Sequence, residues 1–153
     1  MPSADASLAQ GDLGRLIWEV FRLNSRLLAS GDRLVAELGL TSARWQVLGA
    51  IAMTVSGEPV AWLARSMGLQ RQGVQRIVNE LVVEGLVEFR ENPHHRRAQL
   101  AVLTEKGRDT YQAAMRKREP WIAALSQGLS SQEVAVAYDV LTRLRTHLEC
   151  SER

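Results

Sequence analysis

The chain has 153 residues, of which 46% are hydrophobic and 24% are charged, so it can bury a core and is not disordered throughout. A formal net charge of +2 allows an anionic partner without requiring one, and a single cysteine excludes an internal disulfide framework. The first residues lack a signal-peptide pattern, and no apolar run reaches the roughly 20 residues of a membrane span. We therefore expect a soluble, cytoplasmic protein without a membrane partner.

The N-terminal part is predicted to be a flexible tail followed by a long helix. Residues 1–11 are small and polar, and Asp12 is a good helix N-cap. Leu16, Val20 and Leu23 then recur at the spacing of a helix that packs against another helix. Further apolar residues widen this stripe beyond what one small subunit can cover, which favours a partner chain.

The middle of the chain is predicted to hold three helices and a hairpin. A helix with Thr41 as its N-cap is followed by helices over 59–67 and from about 70 to 84. Residues 86–90 and 99–103 are predicted strands, because Val87 and Phe89, and then Leu100 and Val102, occupy alternate positions. The short distance between these two runs predicts that they pair as a hairpin.

Two further helices are predicted at the C-terminal end. Thr104 caps a long helix, which Pro120 should kink or divide because proline lacks the backbone N–H donor. Ser130 and Glu133 have the spacing of a capping box, which predicts that the last helix begins there.

The segment "VAWLARSMGLQRQGVQRIVNELVVEGL" has the plan of a helix-turn-helix, with a glycine in the turn. Val74, Ile77, Val78 and Leu81 share one face of the second helix and should face the core. The polar residues left on the outer face are Gln70, Arg71, Gln72, Gln75, Arg76 and Asn79. Arginine, glutamine and asparagine recognise base edges in the DNA major groove, so we predict a recognition helix. The alternative is a solvated helix face, on which such residues are ordinary.

The hairpin tip "NPHHRRAQ" places positive charge directly after the predicted recognition helix. A hairpin in this position is a wing, which reaches the phosphates or the minor groove beside the recognition helix. A narrow minor groove concentrates negative potential and attracts arginine. We therefore predict that His95, Arg96 and Arg97 contact DNA, the alternative being a solvated turn.

The segments "LGLTSARWQVL", "LARSMGLQRQGVQRIVNELVVEGLVEFR" and "NPHHRRAQLAVLTEKGR" resemble a MarR-type winged-helix transcriptional regulator. The resemblance extends from about residue 12 to 148, and it is most specific between 63 and 107. It implies a mainly α fold with a small β-hairpin wing. It also implies three parts: a tail over 1–11, a helical dimerisation region over 12–40 and 104–150, and a winged helix-turn-helix DNA-binding domain over 41–103.

The same resemblance implies a homodimeric repressor that binds a pseudo-palindromic operator. By the family pattern Arg97 is the wing arginine that enters the minor groove, and Arg76 belongs to the recognition helix. The family usually has an aspartate two positions before that arginine, where this chain has His95. Because histidine gains charge as the pH falls from about 7.5 to 6, we hypothesise that DNA affinity rises over this range.

The resemblance further implies a small aromatic effector, bound between the dimer helices and the winged domain. An apolar pocket with a few charged anchors suits such a ligand. The candidate lining residues are Trp18, Arg22, Arg44 and Met53. Trp45 and Trp62, in contrast, lie on apolar faces and are predicted to pack in the core.

Other classes of function find little support in the sequence. His94 and His95 are adjacent and only His147 remains, so we expect no metal site, which needs three or four convergent ligands. Cys150 is predicted to be a free thiol near the chain end. The sequence shows no nucleophile–base pairing and no glycine-rich phosphate loop, so we expect neither an enzyme nor a cofactor. The alternative that stays open is a winged-helix adaptor whose basic surface meets an acidic protein.

Overall fold

The computed structural model describes residues 4–95 and 97–151, which form two compact units that meet between Lys117 and Arg118. The helices are α1 (Ala4–Val35), α2 (Ser42–Ala52), α3 (Val60–Ser66), α4 (Arg71–Val83), α5 (Glu105–Leu125) and α6 (Ser131–Ser151). The strands are β1 (Glu58–Pro59), β2 (Val87–Arg90) and β3 (Leu100–Leu103). None of the described helices is both long and apolar enough to cross a membrane.

Helix α1 begins at Ala4 rather than at Asp12, so residues 4–11 are helical where a flexible tail was expected. This segment contains several alanines and no proline, which suits helix propagation. A short 3-10 turn, Ala36–Leu38, follows α1 and ends at Gly39.

The predicted helix-turn-helix is confirmed. The Thr41 hydroxyl accepts a hydrogen bond from the Arg44 backbone N–H at 3.3 Å and caps α2. Helix α3, a turn at 67–70 and helix α4 follow. The four apolar residues predicted for the inner face of α4, namely Val74, Ile77, Val78 and Leu81, are all buried.

The sheet has three antiparallel strands in the order β1-β3-β2, and β1 was not predicted. The predicted strands over 86–90 and 99–103 form a hairpin, which pairs Val87 with Leu103 and Arg90 with Leu100. Strand β1 has only two residues, too few for any alternation to be visible. Gly57 brings the chain onto β3 with φ of 85°, and a Cβ there would overlap the Val102 side chain and the Ala101 carbonyl oxygen.

The core lies among α2, α3, α4 and the sheet, and Leu48, Leu63 and Leu81 are its largest fully buried side chains. Trp45 packs against this core, as predicted. The prediction for Trp62 was wrong, because its side chain is 59% exposed. Helix α3 has only seven residues, and Val60, Leu63 and Ala64 already form its buried side, which leaves Trp62 outside.

The caps of the last two helices are confirmed. The Thr104 hydroxyl accepts a hydrogen bond from the Gly107 N–H at 3.0 Å. Helix α5 contains Pro120 and continues to Leu125, so the proline does not divide it. The Glu133 carboxylate accepts the Ser130 N–H at 2.8 Å, and the Ser130 hydroxyl accepts the Glu133 N–H at 3.2 Å. The Ser130 hydroxyl also donates to this carboxylate at 2.7 Å, and the hydrogen bonds from the hydroxyl and the N–H lower the pKa of Glu133.

Candidate nucleic-acid interface

Helix α4 presents a polar outer face, and the core fixes which side chains compose it. Because the inner residues recur at i, i+3, i+4 and i+7, the remaining positions must point outward. Five of the six residues predicted for this face are exposed, and Gln75 is half-buried. We call the set Gln70, Arg71, Gln72, Gln75, Arg76 and Asn79 the recognition face. All of its members except Gln70 line one open groove along α4.

The positive charge of the recognition face is concentrated at the N-terminal end of α4. The first turn has no acidic residue, and Arg71 has no ion-pair partner within the described part of the chain. Arg76 is 3.6 Å from the Glu80 carboxylate, one turn further along, in a solvent-exposed pair. The helix dipole adds positive potential at the same end. This end of α4 therefore suits a polyanion.

The acidic residues beyond this end are held by arginines. Glu84 forms an ion pair with Arg44 of α2, and Glu88 lies 2.6 Å from the Arg90 guanidinium. Each carboxylate is thereby partly neutralised. The carboxylates at the far end of α4 and in β2 consequently weaken the positive potential of the recognition face less than their number indicates.

Two amides of the recognition face are already ordered. The Gln75 side-chain amide donates to the Asn79 side-chain oxygen at 3.0 Å. Such amides can pair with the N6 and N7 groups of adenine when they exchange this bond for a base edge. The exchange costs little free energy, because both side chains can form an equivalent hydrogen bond with the base.

The wing places His94, His95 and Arg97 in solvent at the tip of the hairpin. Arg97 has no hydrogen-bond or ion-pair partner in residues 4–95 and 97–151. Arg96, which was predicted to contact DNA, lies outside the described residues. The exposed Arg97 guanidinium is therefore available to an external anion.

Asn92 organises the wing tip and was missed by the sequence reasoning. Its side chain is 8% exposed, donates to the Ala98 carbonyl at 3.0 Å and accepts the His94 N–H at 3.0 Å. The His95 N–H donates to the Asn92 carbonyl at 3.2 Å. One amide thus joins the two sides of the loop. The Asn-Pro dipeptide, which favours turn initiation, was the available signal.

The four candidate effector residues lie on two helices, Trp18 and Arg22 on α1, and Arg44 and Met53 on α2 and at its end. Trp18 is 69% exposed and meets Phe21 edge to face at 6.2 Å, and Arg22 is 3.8 Å from Glu19. Arg44 is occupied by its ion pair with Glu84. Met53 lines a cavity of about 650 Å³ between α2 and α3, together with Trp62.

A second cavity, of about 420 Å³, lies between the end of α2, residues 54–57, the sheet and the start of α5. We call it the arginine-lined cavity. Its lining is Ile51, Ala52, Thr54, Val55, Ser56, Gly57, Arg90, Val102, Leu103, Arg108, Gln112 and Tyr111. This described lining contains two arginines and no carboxylate. The Arg108 guanidinium donates to the Leu103 carbonyl at 2.9 Å, which holds it at the wall.

The fold and the surface together define a class of protein. A helix-turn-helix with an amide- and arginine-bearing outer face, followed directly by a hairpin with an exposed arginine, is a winged helix-turn-helix of the DNA-binding type. The family model described as "MarR family" matches residues 38–98. An uncharacterised protein of Mycobacterium tuberculosis is 47% identical over 102 residues, which cover 67% of this chain and 70% of that protein. The chain belongs to the MarR family of transcription regulators.

Solved structures agree with this fold. A MarR family transcriptional regulator from Streptomyces coelicolor matches 90% of this chain and 96% of its own, with 29% identity and a TM-score of 0.76. The transcriptional repressor CouR, bound to a 23-mer DNA duplex, matches 88% of this chain and 96% of its own, with 23% identity and a TM-score of 0.76. CouR from Rhodococcus jostii RHA1 bound to p-coumaroyl-CoA has a TM-score of 0.77 at 23% identity, covering 84% of this chain and 90% of that one.

Proposed function

We propose that the protein is a homodimeric repressor that binds a pseudo-palindromic operator and is released by a small aromatic effector. In each half-site α4 lies in the major groove and the wing reaches the adjacent minor groove. The observation that carries the proposal is the recognition face, whose basic end is free of carboxylates, in a chain that also exposes Arg97 at the wing. CouR, which shares this fold, has been solved bound to a 23-mer DNA duplex, which supports DNA as the partner.

Within this proposal the polar residues have separate tasks. Gln72 and Arg76 read base edges in the major groove, because amides and guanidinium groups can bond to two base atoms at once. Arg97 enters the minor groove, and His95 and Arg96 contact the backbone beside it. The remaining recognition-face residues, Gln70, Arg71, Gln75 and Asn79, complete the contact with DNA.

The proposed dimer is supported by apolar side chains that the single chain leaves in solvent. Eight large apolar residues of α1 between positions 13 and 28 are 37% to 69% exposed. Helix α6 separately exposes Val134, Val136, Tyr138, Leu141 and Leu148. Exposed apolar patches of this extent mark protein interfaces. We propose that residues 12–40 and 104–150 form the dimer and that residues 41–103 bind DNA, with half-sites roughly 34 Å apart.

The arginine-lined cavity is the place we propose for the effector. A volume of about 420 Å³ is within the usual range for small-molecule sites. Arg108 has no carboxylate beside it in the described lining and favours an acidic ligand, whereas Arg90 is already paired with Glu88; Ile51, Val102 and Tyr111 offer the ligand an apolar wall. CouR binds p-coumaroyl-CoA, an anionic aromatic thioester. To act as a switch, the ligand must bind the DNA-competent and DNA-incompetent states with different affinity.

The DNA-binding part is tested by fluorescence anisotropy with the duplex upstream of the protein's own gene. Wild type should bind with a steep salt dependence. Gln72→Ala and Arg76→Ala should each weaken binding by about 1–3 kcal/mol and relax base preference, whereas Arg97→Ala should lower the salt slope by about one. Arg143→Ala is the matched control, because Arg143 also pairs with an acid one turn away, Asp139, at 3.0 Å. A DNA affinity that depends on neither the salt concentration nor the base sequence would support a protein–protein adaptor instead.

The effector part is tested by thermal shift with benzoate and 4-hydroxycinnamate, and with benzamide as the uncharged counterpart. The acids should raise the unfolding temperature of wild type and weaken its binding to DNA, and Arg108→Met should reduce both effects. Equal shifts with benzamide, or shifts that Arg108→Met does not reduce, would contradict the proposed site. Transcription from the operator promoter should rise when the acid is added, as a repressor requires.

A further inference from the structure

The C-terminal end of α4 is held by contacts from two directions, at residues 84–86, which we call the 84–86 junction. This segment follows the last helical residue, Val83, and leads into β2. The Glu84 carboxylate and the three backbone carbonyl groups each have a partner outside α4 and β2. The junction therefore connects the recognition face to other parts of the first unit.

The first set of contacts comes from α2. Arg44, whose side chain is 14% exposed, forms an ion pair with the Glu84 carboxylate. The same guanidinium donates to the Gly39 carbonyl at 3.0 Å, just after α1 and its 3-10 turn. Because a guanidinium is planar and has several fixed donors, it can hold two acceptors in a defined geometry. Arg44 thus joins the end of α4 to the segment that follows α1.

Helix α2 is itself fixed to α1. The Ser42 N–H donates to the Asp32 carboxylate at 2.6 Å, and the Ser42 hydroxyl donates to the Leu28 carbonyl at 2.7 Å. Ser42 is 5% exposed, so water competes little for these bonds. The path from α1 through Ser42 and Arg44 to Glu84 is therefore continuous and polar.

The second set of contacts comes from the start of α5. The Lys106 ammonium donates to the Glu84 carbonyl at 2.8 Å, and the Thr104 hydroxyl donates to the Gly85 carbonyl at 2.7 Å. A Cβ on Gly107 would overlap the carbonyl oxygen of Leu86, so glycine permits this close approach of α5. The carbonyl groups of Glu84 and Gly85 thus accept hydrogen bonds from Lys106 in α5 and from Thr104 directly before it.

At the opposite end of α4 Val74 packs in the core, but within the described residues no side chain of another element makes a polar contact with residues 70–73. Its N-cap residue, Gln70, makes no side-chain capping bond, and Arg71 and Gln72 are exposed. Helix α4 has 13 residues. At about 1.5 Å per residue it is roughly 20 Å long, so a tilt of about 5° at the junction moves its far end by nearly 2 Å. Such a displacement exceeds the distance tolerance of a hydrogen bond to a base.

We infer that Arg44 and Lys106 are positioning residues for DNA recognition, which set the angle of α4 through the 84–86 junction without touching DNA. The inference rests on the proposed function, in which the two recognition helices of a dimer must match the spacing of two half-sites. When α4 is held at a defined angle, the dimer strongly prefers operators with one half-site spacing. When α4 is released at the 84–86 junction, this preference is smaller.

The experiment compares Arg44→Met and Lys106→Met, which keep the aliphatic stem and remove the charged group. Lys117→Met is the matched control, because Lys117 also joins α5 to a distant carboxylate, that of Glu37, at 2.7 Å, but does not contact the junction. Affinity is measured for an operator selected from random sequence and for the same operator with one inserted base pair. The insertion rotates the half-sites by roughly 35° relative to each other.

Wild type and Lys117→Met should prefer the original spacing strongly. Arg44→Met and Lys106→Met should lose about tenfold in affinity for the original operator and less for the expanded one, so that the preference shrinks. Both variants should keep the wild-type far-ultraviolet circular dichroism spectrum.

An unchanged spacing preference in folded Arg44→Met and Lys106→Met would overturn the inference, as would an equal loss on both operators. If Arg44→Met does not fold, Lys106→Met decides, because Lys106 is exposed and its replacement leaves the core intact. Failure of wild type to select any operator would overturn the proposed function, and this inference with it. If wild type selects an operator but Arg44→Met and Lys106→Met keep its spacing preference, only this inference is overturned.

Discussion

Leu48 in α2 and Leu148 in α6 are the same side chain on two helices, yet Leu48 is fully buried and Leu148 is 67% exposed. The contrast extends to the regions around them. The buried apolar cluster spans Val35 to Ala114, whereas no residue described in α6 is buried within the chain. Helix α1 resembles α6 in this respect over positions 13 to 28.

The difference separates a region that folds on its own contacts from helices that need another surface. Apolar side chains stabilise a fold only when water is removed from them, by about 25 cal/mol for each Å². The winged helix achieves this within one chain. For α1 and α6 the proposed second copy would supply the missing contacts, so the two regions should respond differently to substitution.

The largest effect should follow from breaking the proposed dimer. Phe21 in α1 is 61% exposed, and Phe21→Glu would bury a charge at the interface. We expect monomers in analytical ultracentrifugation and a loss of roughly a hundredfold or more in operator affinity, because the second half-site no longer binds in the same complex. Phe21→Leu should remain dimeric. If the Phe21→Glu protein is still dimeric, α1 does not depend on a second copy as proposed, and the difference between the two regions is wrong.

A smaller effect should follow from matched leucine truncations. Leu48→Ala opens a cavity in a packed core and should lower the free energy of unfolding by about 2–5 kcal/mol. Leu148→Ala removes a side chain that is 67% exposed in the single chain, so in the monomeric Phe21→Glu background it should cost less than about 0.5 kcal/mol. Urea denaturation measures both, and equal losses would show that α6 is buried as deeply as α2.

A change of a few fold should follow from the pH at the wing. His95 is exposed at the tip, and its protonated form would add a cation beside the phosphates. Operator affinity should therefore rise as the pH falls from about 7.5 to 6, and His95→Gln should flatten this rise. His147→Gln, on α6, should leave this rise in affinity unchanged. A pH response that survives in His95→Gln would assign it to another group.

The smallest effect should concern the start of α6. Hydrogen bonds from Ser130 lower the pKa of Glu133 below its ordinary value of 4.5. A lowered pKa in the folded state means that the carboxylate stabilises α6 above about pH 4.5 and that this contribution is lost as the pH falls through the folded pKa. Helical circular dichroism should thus decline at acid pH less in Glu133→Gln than in wild type. Identical profiles would show that the capping box contributes nothing measurable.

The candidate site was predictable where its signals are local. The inner face of α4 follows from apolar residues at helical spacing, and the recognition face is what remains. Thr41, Thr104 and the Ser130–Glu133 pair cap helices through bonds to residues three positions away, so a short segment contains both partners. Strand β2 shows its alternation of apolar and polar residues within four positions, whereas β3 is apolar throughout.

Contacts between distant positions could not be read in this way. The Arg44–Glu84 ion pair joins residues forty positions apart, and the Lys106 contact to Glu84 spans 22. Trp62 was wrongly predicted to lie in the core, because helical periodicity groups side chains on one face but does not show which element packs against that face. The amino-acid sequence determines helices, caps and turns, because the groups that bond to one another in them are only a few residues apart. The two-residue strand β1, the 84–86 junction and the exposure of α1 and α6 depend on which surfaces meet after the chain has folded.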